Sequence, residues 1–418
     1  DRIAIGYDMR KSSPALADAF ADGVTAQGLD VVRIGLASTD QLYFASGFLG
    51  CAGAMFTASH NPAAYNGIKL CRAGAKPVGE DTGLAIIRDE VIAGVPGYDG
   101  PRGQLRDQDV LADYGQFLRS LVDMAELRPL RVAVDAGNGM AGHTTPAVLG
   151  PHRVADRAAV VLRTRRFLPP TTRPIRWSRP IWSICRSSWW RPVPISGWRS
   201  TATPIVVSSS TNGRPVSPSA VTALVAGREL TREIGATVIH NLITSRAVPE
   251  LVVERGGTPV RSRVGHSYIK ALMADTGAIF GGEHSAHYYF RDFWGADSGM
   301  LAALHVLAAL GEQDRPLSEL MANYQRYEAS GEINFRVADA PACVESVLNT
   351  FGRQTVSLDH LDGGDGGPRR WGLVQPAYLQ HRAAAAAQRR GAQRRGDRRD
   401  RPPGLRRDRG AVERGAAP

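Results

Sequence analysis

No apolar run in the 418 residues approaches the ~20 that a membrane-spanning helix needs, so no membrane partner is expected. The opening residues, Asp1 through Tyr7, are neither basic nor serine-rich, which predicts no signal or transit peptide. The chain does not open on methionine, which predicts a natural start upstream of Asp1. Its four cysteines, Cys51, Cys71, Cys185 and Cys343, lack the paired spacing of a zinc site, and a chain this long does not need a disulfide framework. A reduced, cytoplasmic setting is therefore expected. A G-x-S-x-G elbow is also missing, so Ser59 beside His60 does not point to a hydrolase.

Lysine is absent from two stretches that carry nearly half of the basic residues. Residues 151–213 hold eleven Arg and one acid, Asp156; residues 369–418 hold fourteen Arg and four acids. The formal net charge of +11 thus conceals a body of −9 between two blocks of +10 each. Such a distribution argues against a nucleic-acid partner, which would call for a basic face on a folded domain. The first block also carries five of the seven Trp (Trp177, Trp182, Trp189, Trp190 and Trp198) with no sustained period of 3.6 or 2. A disordered basic linker and tail would account for the Arg, but linkers are poor in Trp.

Elsewhere strand and helix patterns alternate. Arg2–Tyr7 (RIAIGY) predicts a strand, Ser13–Gln27 a helix opened by Ser-Ser-Pro, DVVRIG a second strand, Asp40–Phe48 a helix and Gly53–Ala58 a third strand. This order implies right-handed crossovers and a largely parallel sheet. A second unit opens at Arg131 (RVAVDAGNGMAG) and a third spans about Ala220 to Ser330, with ATVIHN as a strand and Met300–Leu310 as a helix. A fourth begins after Glu332, and its pattern stops near Gly363.

The segment TASHNPAAYNGIK, Thr57 to Lys69, concentrates polar chemistry at the carboxyl end of a predicted strand, where open α/β sheets place ligands. Asn61-Pro62 and Asn66-Gly67 fold it into a compact loop, to which His60, Tyr65 and Lys69 bring donors and a cation suited to an anionic substrate. By spacing alone an ordinary polar loop reads equally well.

T-A-S-H-N-P followed by Y-N-G-I-K resembles the phosphoserine loop of the α-D-phosphohexomutases, and the match is specific. Three further stretches are similar to family segments in family order. GYDMRKSSP carries Asp8 and Arg10 where the family has D-x-R-x-S; VGHSYIK, Val264 to Lys270, resembles T-G-H-S-x-I-K; GGEHSAHYYF, Gly281 to Phe290, resembles the sugar loop G-E-M-S-G-H. The resemblance implies that Ser59 carries the phosphoryl group and binds Mg²⁺ as phosphoserine. It also implies that Lys69, His60, His266 and His287 are catalytic or proton-transfer candidates. Arg10, Lys270, Glu283 and Ser285 would bind substrate, a carboxylate such as Glu283 reading adjacent sugar hydroxyls through two hydrogen bonds. Hexose phosphates and hexose 1,6-bisphosphate are the implied partners. His284, Ala286 and Val264 depart from the family's Met, Gly and Thr.

The family's metal loop, D-G-D-[GA]-D-R, is missing. Mg²⁺ demands hard oxygen ligands, and phosphoryl transfer depends on neutralising charge. Yet Gly197 to Val206 can be back-translated as GGC TGG CGT TCG ACG GCG ACG CCG ATC GTT. Read one base earlier, these bases encode Leu-Ala-Phe-Asp-Gly-Asp-Ala-Asp-Arg. Ala377 to Gln388, treated likewise, yields Arg-Thr-Cys-Asn-Thr-Glu-Pro, which resembles the family's R-x-S-N-T-E-P phosphate loop. Frame changes near Gly150, Asn212 and Gly363 would explain both blocks, in a pseudogene or in a recorded sequence carrying indels.

The expected architecture is therefore α/β: three α/β domains around a cleft plus a C-terminal α+β domain. Domain I spans 1–125, domain II 126–222 with 151–213 misframed, domain III 223–330, and domain IV 331–418, disrupted after about 363. The expected function is interconversion of hexose 1- and 6-phosphates of mannose or glucose. For the chain as written, impaired activity and poor folding of domain II are expected, with a non-catalytic sugar-phosphate binder as the alternative.

Overall fold

The computed structural model describes residues 1–59, 61–124, 127–128, 130, 132–136, 139–150, 216–329, 336–351 and 361, together with the backbone of 161–163, 196–200, 205–206, 210–211 and 214–215. It divides into two units, Asp1–Arg326 and Tyr327–Pro418. In the second unit, the described helix runs from Ala340 to Phe351.

The first sheet has strand order β5-β4-β3-β1-β2-β6. Here β1 is Arg2–Tyr7, β2 Asp30–Leu36, β3 Ala52–Phe56, β4 Ile68–Arg72, β5 Lys76–Pro77 and β6 Leu105–Asp107. Its central strand β1 pairs in parallel with β2 and β3, while β4 and β5 run antiparallel. Helices α1 (Ser13–Ala26), α2 (Thr39–Leu49), α3 (Leu84–Ala93) and α4 (Leu111–Ser120) accompany it. Strand β3 stops at Phe56, two residues short of the expected Ala58. The cause is local: the Thr57 hydroxyl turns inward to donate to Asp8, and Ser59 adopts a left-handed backbone, φ 53.

A further helix, α5 (Ala141–Leu149), follows β7 (Val132–Asp135). Strand β7 pairs in parallel with β8 (Val161–Arg163) and β9 (Ser196–Ser200), and β9 also pairs with β10 (Ile205–Val206). These partners come from the Arg-rich block, whose composition predicted no sheet. A strand ladder is made by backbone groups, so an apolar strand such as β7 can recruit partners without a matching side-chain pattern. The expected misframing of 151–213 and of the tail beyond 363 otherwise falls outside the described residues.

Strands β11 (Ser210–Thr211) and β12 (Arg214–Pro215) form a two-stranded antiparallel sheet, and the last sheet, β14-β13-β15-β16-β17, belongs to the third unit of the sequence pattern. It contains β13 (Thr237–Asn241), β14 (Thr258–Ser262), β15 (Phe280–Gly282), β16 (Tyr288–Phe290) and β17 (Ala296–Asp297). Its helices are α6 (Pro218–Arg232), α7 (Ala247–Glu254), α8 (His266–Thr276), α9 (Gly299–Gly311) and α10 (Leu317–Ala322). Helix α9, GMLAALHVLAALG, is apolar all round and is buried along its whole length, as such a helix must be. It joins Phe44, Tyr114 and Leu118 of the first sheet's helices and Phe293 and Leu304 in one continuous core.

That junction explains a glycine in mid-helix. Gly47 of α2 leaves room for Trp294, whose ring stacks on Phe117 at 5.0 Å; a Cβ on Gly47 would lie 2.2 Å from the indole. Replacing Gly47 with Ala gains ~1 kcal/mol of helix propensity, but forcing Trp294 aside costs more. A net loss of about 1–2 kcal/mol is expected by denaturant titration. Unchanged stability would mean that Trp294 does not pack there.

His305 of α9 stacks on Phe290, and burial with Arg228 and Arg232 nearby pushes its pKa down to about 3. A depressed histidine stabilises the fold fully above its unfolded pKa, near 6.5, and that contribution is lost as pH falls toward 3. The denaturation midpoint should therefore decline on acidification from pH 7, and less steeply in His305→Leu.

Candidate functional site

The Ser59 loop links β3 to β4 and is pinned from below by one side chain. Arg10 directs Nη1 to the carbonyls of Pro62 and Tyr65, both at 2.9 Å, and Nη2 to those of Ser59 and Asn61, both at 2.8 Å. Arg10 Nε lies 3.3 Å from Asp8 Oδ2. The buried Asp8 carboxylate in turn accepts from Ser13 Oγ and Thr57 Oγ1, each at 2.7 Å, and from the Arg10 backbone N at 3.0 Å. Asn66 closes the loop by donating to Ser12 and Ser13. Arg10, expected to bind substrate, thus holds the loop's carbonyls with its fork. A planar guanidinium suits this because its donors diverge in fixed directions.

Ser59 sits half-buried in the left-handed region, which costs a residue with a Cβ roughly 1–2 kcal/mol. Strain of this kind persists where surrounding contacts over-determine it, and it is common where a side chain must be presented for chemistry. His60 lies outside the described residues.

Lys69 is on β4 in register with Met55. It is close enough to shift the titration of His266, Lys270 and Asp297. His266 begins α8, and Lys270 lies one turn later on that helix. The surrounding protein, then Lys270 and Lys69, push the His266 pKa below the ordinary value, against the pull of Asp297. Lys270 is buried 3.5 Å from Asp297 Oδ1; burial lowers its pKa and Asp297 partly restores it. Burial pushes Asp297 upward, but Lys270, His287 and Lys69 together hold its carboxyl below the usual range. Lys69, His266, Lys270 and His287, distant in sequence, therefore share one electrostatic cluster, as an anionic substrate requires.

The sugar loop is arranged around Glu283. Its Oε1 accepts from Asn241 Nδ2 and the Gly265 backbone N, each at 3.3 Å, and its Oε2 from the Tyr289 hydroxyl at 2.7 Å. His287 Nδ1 is 3.8 Å from the same Oε2 and 3.0 Å from Ser285 Oγ. Glu283, expected to read sugar hydroxyls, is 3% exposed and already accepts three protein donors. Ser285 and His287 are the more open members. Replacing Glu283 with Gln would turn an NH₂ toward one of these donors, and a loss of about 2 kcal/mol in denaturant stability is expected. No loss would mean that those donors have other partners. Ala286, where the family has Gly, takes φ 67 and is buried. Burying its methyl offsets the backbone cost, each ~1 kcal/mol, which is why this departure is tolerated.

Sequence reasoning missed Asp40, Tyr43, Asp297 and Ser298. The buried Asp40 carboxylate accepts from Tyr114 OH at 2.8 Å, from Ser298 Oγ at 2.9 Å and from Ser38. Burial raises its pKa against those three hydrogen bonds. Asp-Ser before an apolar helix, in GADSGM, was the available signal; Ser298 does cap α9, accepting from Leu301 N at 3.1 Å.

Among the described residues, no group of three or more His, Cys, Asp or Glu could hold a metal ion. Asp8, the carboxylate beneath the Ser59 loop, is saturated by its own donors. The described residues do not make a Mg²⁺ site. A cavity of about 980 Å³ lies away from this cluster, lined in part by Arg119, Arg228, Arg232 and Glu312. There Arg228 is paired with Glu312 and Arg119 with the carbonyls of Ala147 and Val148.

Comparison with known proteins decides the family. A model described as phosphoglucomutase/phosphomannomutase, alpha/beta/alpha domain I, matches residues 1–92, and the corresponding domain III matches 217–327. A protein of Xanthomonas campestris pv. campestris (strain B100) described as phosphohexose mutases is 36% identical over 369 residues, covering 86% of this chain and 81% of its own length. The chain belongs to the phosphoglucomutase/phosphomannomutase family. A phosphomannomutase of Escherichia coli (strain K12) is 32% identical to this mutase-family chain, with the same coverage. A solved phosphoglucomutase/phosphomannomutase family protein from Burkholderia thailandensis shares the fold, with a TM-score of 0.72 over 93% of this chain and 90% of that one, at 24% identity. The domain III match takes in the whole of α6, which begins at Pro218. Among the described residues, no helix of this family member is long and apolar enough to cross a membrane.

Proposed function

We propose that the chain derives from a mutase that moves phosphate between O1 and O6 of mannose or glucose. In this reading the Ser59 Oγ carries the phosphoryl group, gives it to a hexose monophosphate to form the 1,6-bisphosphate, and takes back the other phosphate. Lys69 and His287 move protons at the reacting hydroxyls, Lys270 and His266 hold the phosphate, and Ser285 orients the sugar. The observation that carries this reading is the Ser59 loop, strained at its serine and fixed by Arg10 and Asp8. Relatives described as phosphomannomutase support it.

In the same proposal, the chain as written turns over little or not at all. It lacks the metal carboxylates, and both family-model matches lie outside the Arg-rich blocks. The test is a turnover assay of the purified 418-residue chain on mannose 1-phosphate and glucose 1-phosphate with Mg²⁺. Rates at background are expected; normal turnover would overturn the impairment. A second reading, retained sugar-phosphate binding without chemistry, is favoured by the intact cluster of Lys69, Lys270, His266 and His287. Calorimetry with glucose 6-phosphate separates a binder from an inert chain.

A further inference from the structure

Glu283 and His287 face each other across the turn between β15 and β16. The two strands pair antiparallel with Gly282 opposite Tyr288, so the next step outward sets Glu283 opposite His287. Glu283 N donates to His287 O at 2.9 Å and Ala286 N to Glu283 O at 3.1 Å, which closes the turn. Opposed residues of an antiparallel pair share a face. Here the two side chains meet, with His287 Nδ1 3.8 Å from Glu283 Oε2.

A carboxylate offers about four lone-pair sites, two on each oxygen. On Glu283 both Oε1 sites are taken, by Asn241 Nδ2 and Gly265 N, and one Oε2 site is taken by the Tyr289 hydroxyl. The site left over is on Oε2, the oxygen that adjoins His287 Nδ1. Ser285 Oγ flanks the same nitrogen at 3.0 Å. A bare Nδ1 beside a carboxylate oxygen sets two lone pairs against each other, whereas a proton on Nδ1 turns that repulsion into attraction. Asp297, whose Oδ1 faces Lys270, and His266 are the other titratable groups within electrostatic reach of His287. The imidazole is 36% exposed and the carboxylate is buried, so the ring is the member of the pair open to a ligand.

We propose that Glu283 is a positioning residue: it holds His287 as the Nδ1–H tautomer and leaves the Nε2 lone pair to take a proton from a sugar hydroxyl. This rests on the reading of His287 as a proton-transfer residue. As the hydroxyl oxygen bonds to phosphorus and the Ser59 Oγ–P bond breaks, the hydroxyl proton passes to Nε2. The electron pair of the broken bond stays on Oγ, which Lys69 protonates. The imidazolium so formed keeps its Nδ1–H against the Glu283 charge. Glu283 thereby acts on the sugar through His287 rather than by contact.

Nitrogen-15 labelling of the ten histidines in the full chain reads the tautomer, because a ring nitrogen bearing hydrogen and a bare one resonate far apart. His287→Gln assigns the signal. At about pH 8, where an ordinary imidazole is neutral, His287 should carry Nδ1–H in wild type and in Ser285→Ala, and lose it for Nε2–H in Glu283→Gln. Unmoved His240 and His305 signals establish that Glu283→Gln is folded. If it is not folded, Ser285→Ala decides, since the exposed serine can be removed without disturbing the carboxylate: Nδ1–H retained supports the role, and Nδ1–H lost overturns it. Glucose 6-phosphate titrated against the same signals should shift Nε2 of wild-type His287. A His287 indifferent to glucose 6-phosphate overturns the proton-transfer reading and this role with it. A responsive His287 that carries Nε2–H, or that keeps Nδ1–H in Glu283→Gln, overturns the role of Glu283 alone.

Discussion

Restoring the reading frame across residues 151–213 and again beyond 363 is expected to raise turnover of glucose 1-phosphate by ~10³-fold or more over the chain as written. The transferring phosphoryl group spreads negative charge over its oxygens, so an enzyme accelerates the step by placing positive charge there in advance. The chain as written has Lys69 and Lys270 for this but no carboxylate cage to hold Mg²⁺. On the back-translation given above, the neighbouring frame would supply Asp-Gly-Asp-Ala-Asp-Arg at the first block and Arg-Thr-Cys-Asn-Thr-Glu-Pro at the second. The first brings three hard-oxygen ligands; the second brings groups to hold the non-reacting end of the substrate, whose binding orients the reacting one. The measurement is a coupled assay of both chains at equal concentration, with mass spectrometry of the peptide containing Ser59 to read its phosphorylation. Equal rates would show that the altered blocks are not what limits the chemistry. Sequencing the coding DNA over the same codons then separates a decayed gene from an error in the recorded sequence.

Replacing Arg10 with Met is expected to destabilise the first domain by about 3 kcal/mol and to release the Ser59 loop. The substitution keeps much of the side chain's length but removes the fork that reaches four carbonyls and sits beside Asp8. Asp8 is 1% exposed, so its charge would lose its cation without gaining water. Three hydrogen bonds to Asp8 remain, which keeps the loss near the lower end for a broken buried pair. Denaturant titration measures the stability, and hydrogen exchange of the backbone at Ser59, Asn61 and Tyr65 reads the loop. A variant with wild-type stability and protection would show that other contacts hold the loop and that Arg10 is spare for substrate. Lysine at this position should rescue little, because one ammonium cannot reach four divergent carbonyls.

The Ser59 loop, the α8 start and the sugar loop were legible because each is a short run whose turn residues, glycines and charged groups lie together in the chain. Strands β1, β2 and β13 and helices α1, α2 and α9 were legible for the same reason, their apolar spacing being local. The burial of Glu283 was not, since its donors come from Asn241, Gly265 and Tyr289 on three different segments. Nor were the strand partners that β7 takes from the Arg-rich block, because backbone pairing there does not follow a side-chain period.

By itself the sequence determined the order of α/β units, the family and the residues that could do its chemistry. It also determined the lack of metal carboxylates, since composition and motifs are properties of the chain before it folds. Tertiary structure alone decided what those residues touch. It set the Arg10 fork against four carbonyls of the serine loop, and it set Lys270 beneath Tyr43. It also joined Asp40 to Ser298, 258 residues away. The physical reason is that hydrogen bonds, ion pairs and ring contacts are made at 3–4 Å between atoms whose sequence separation no local pattern records.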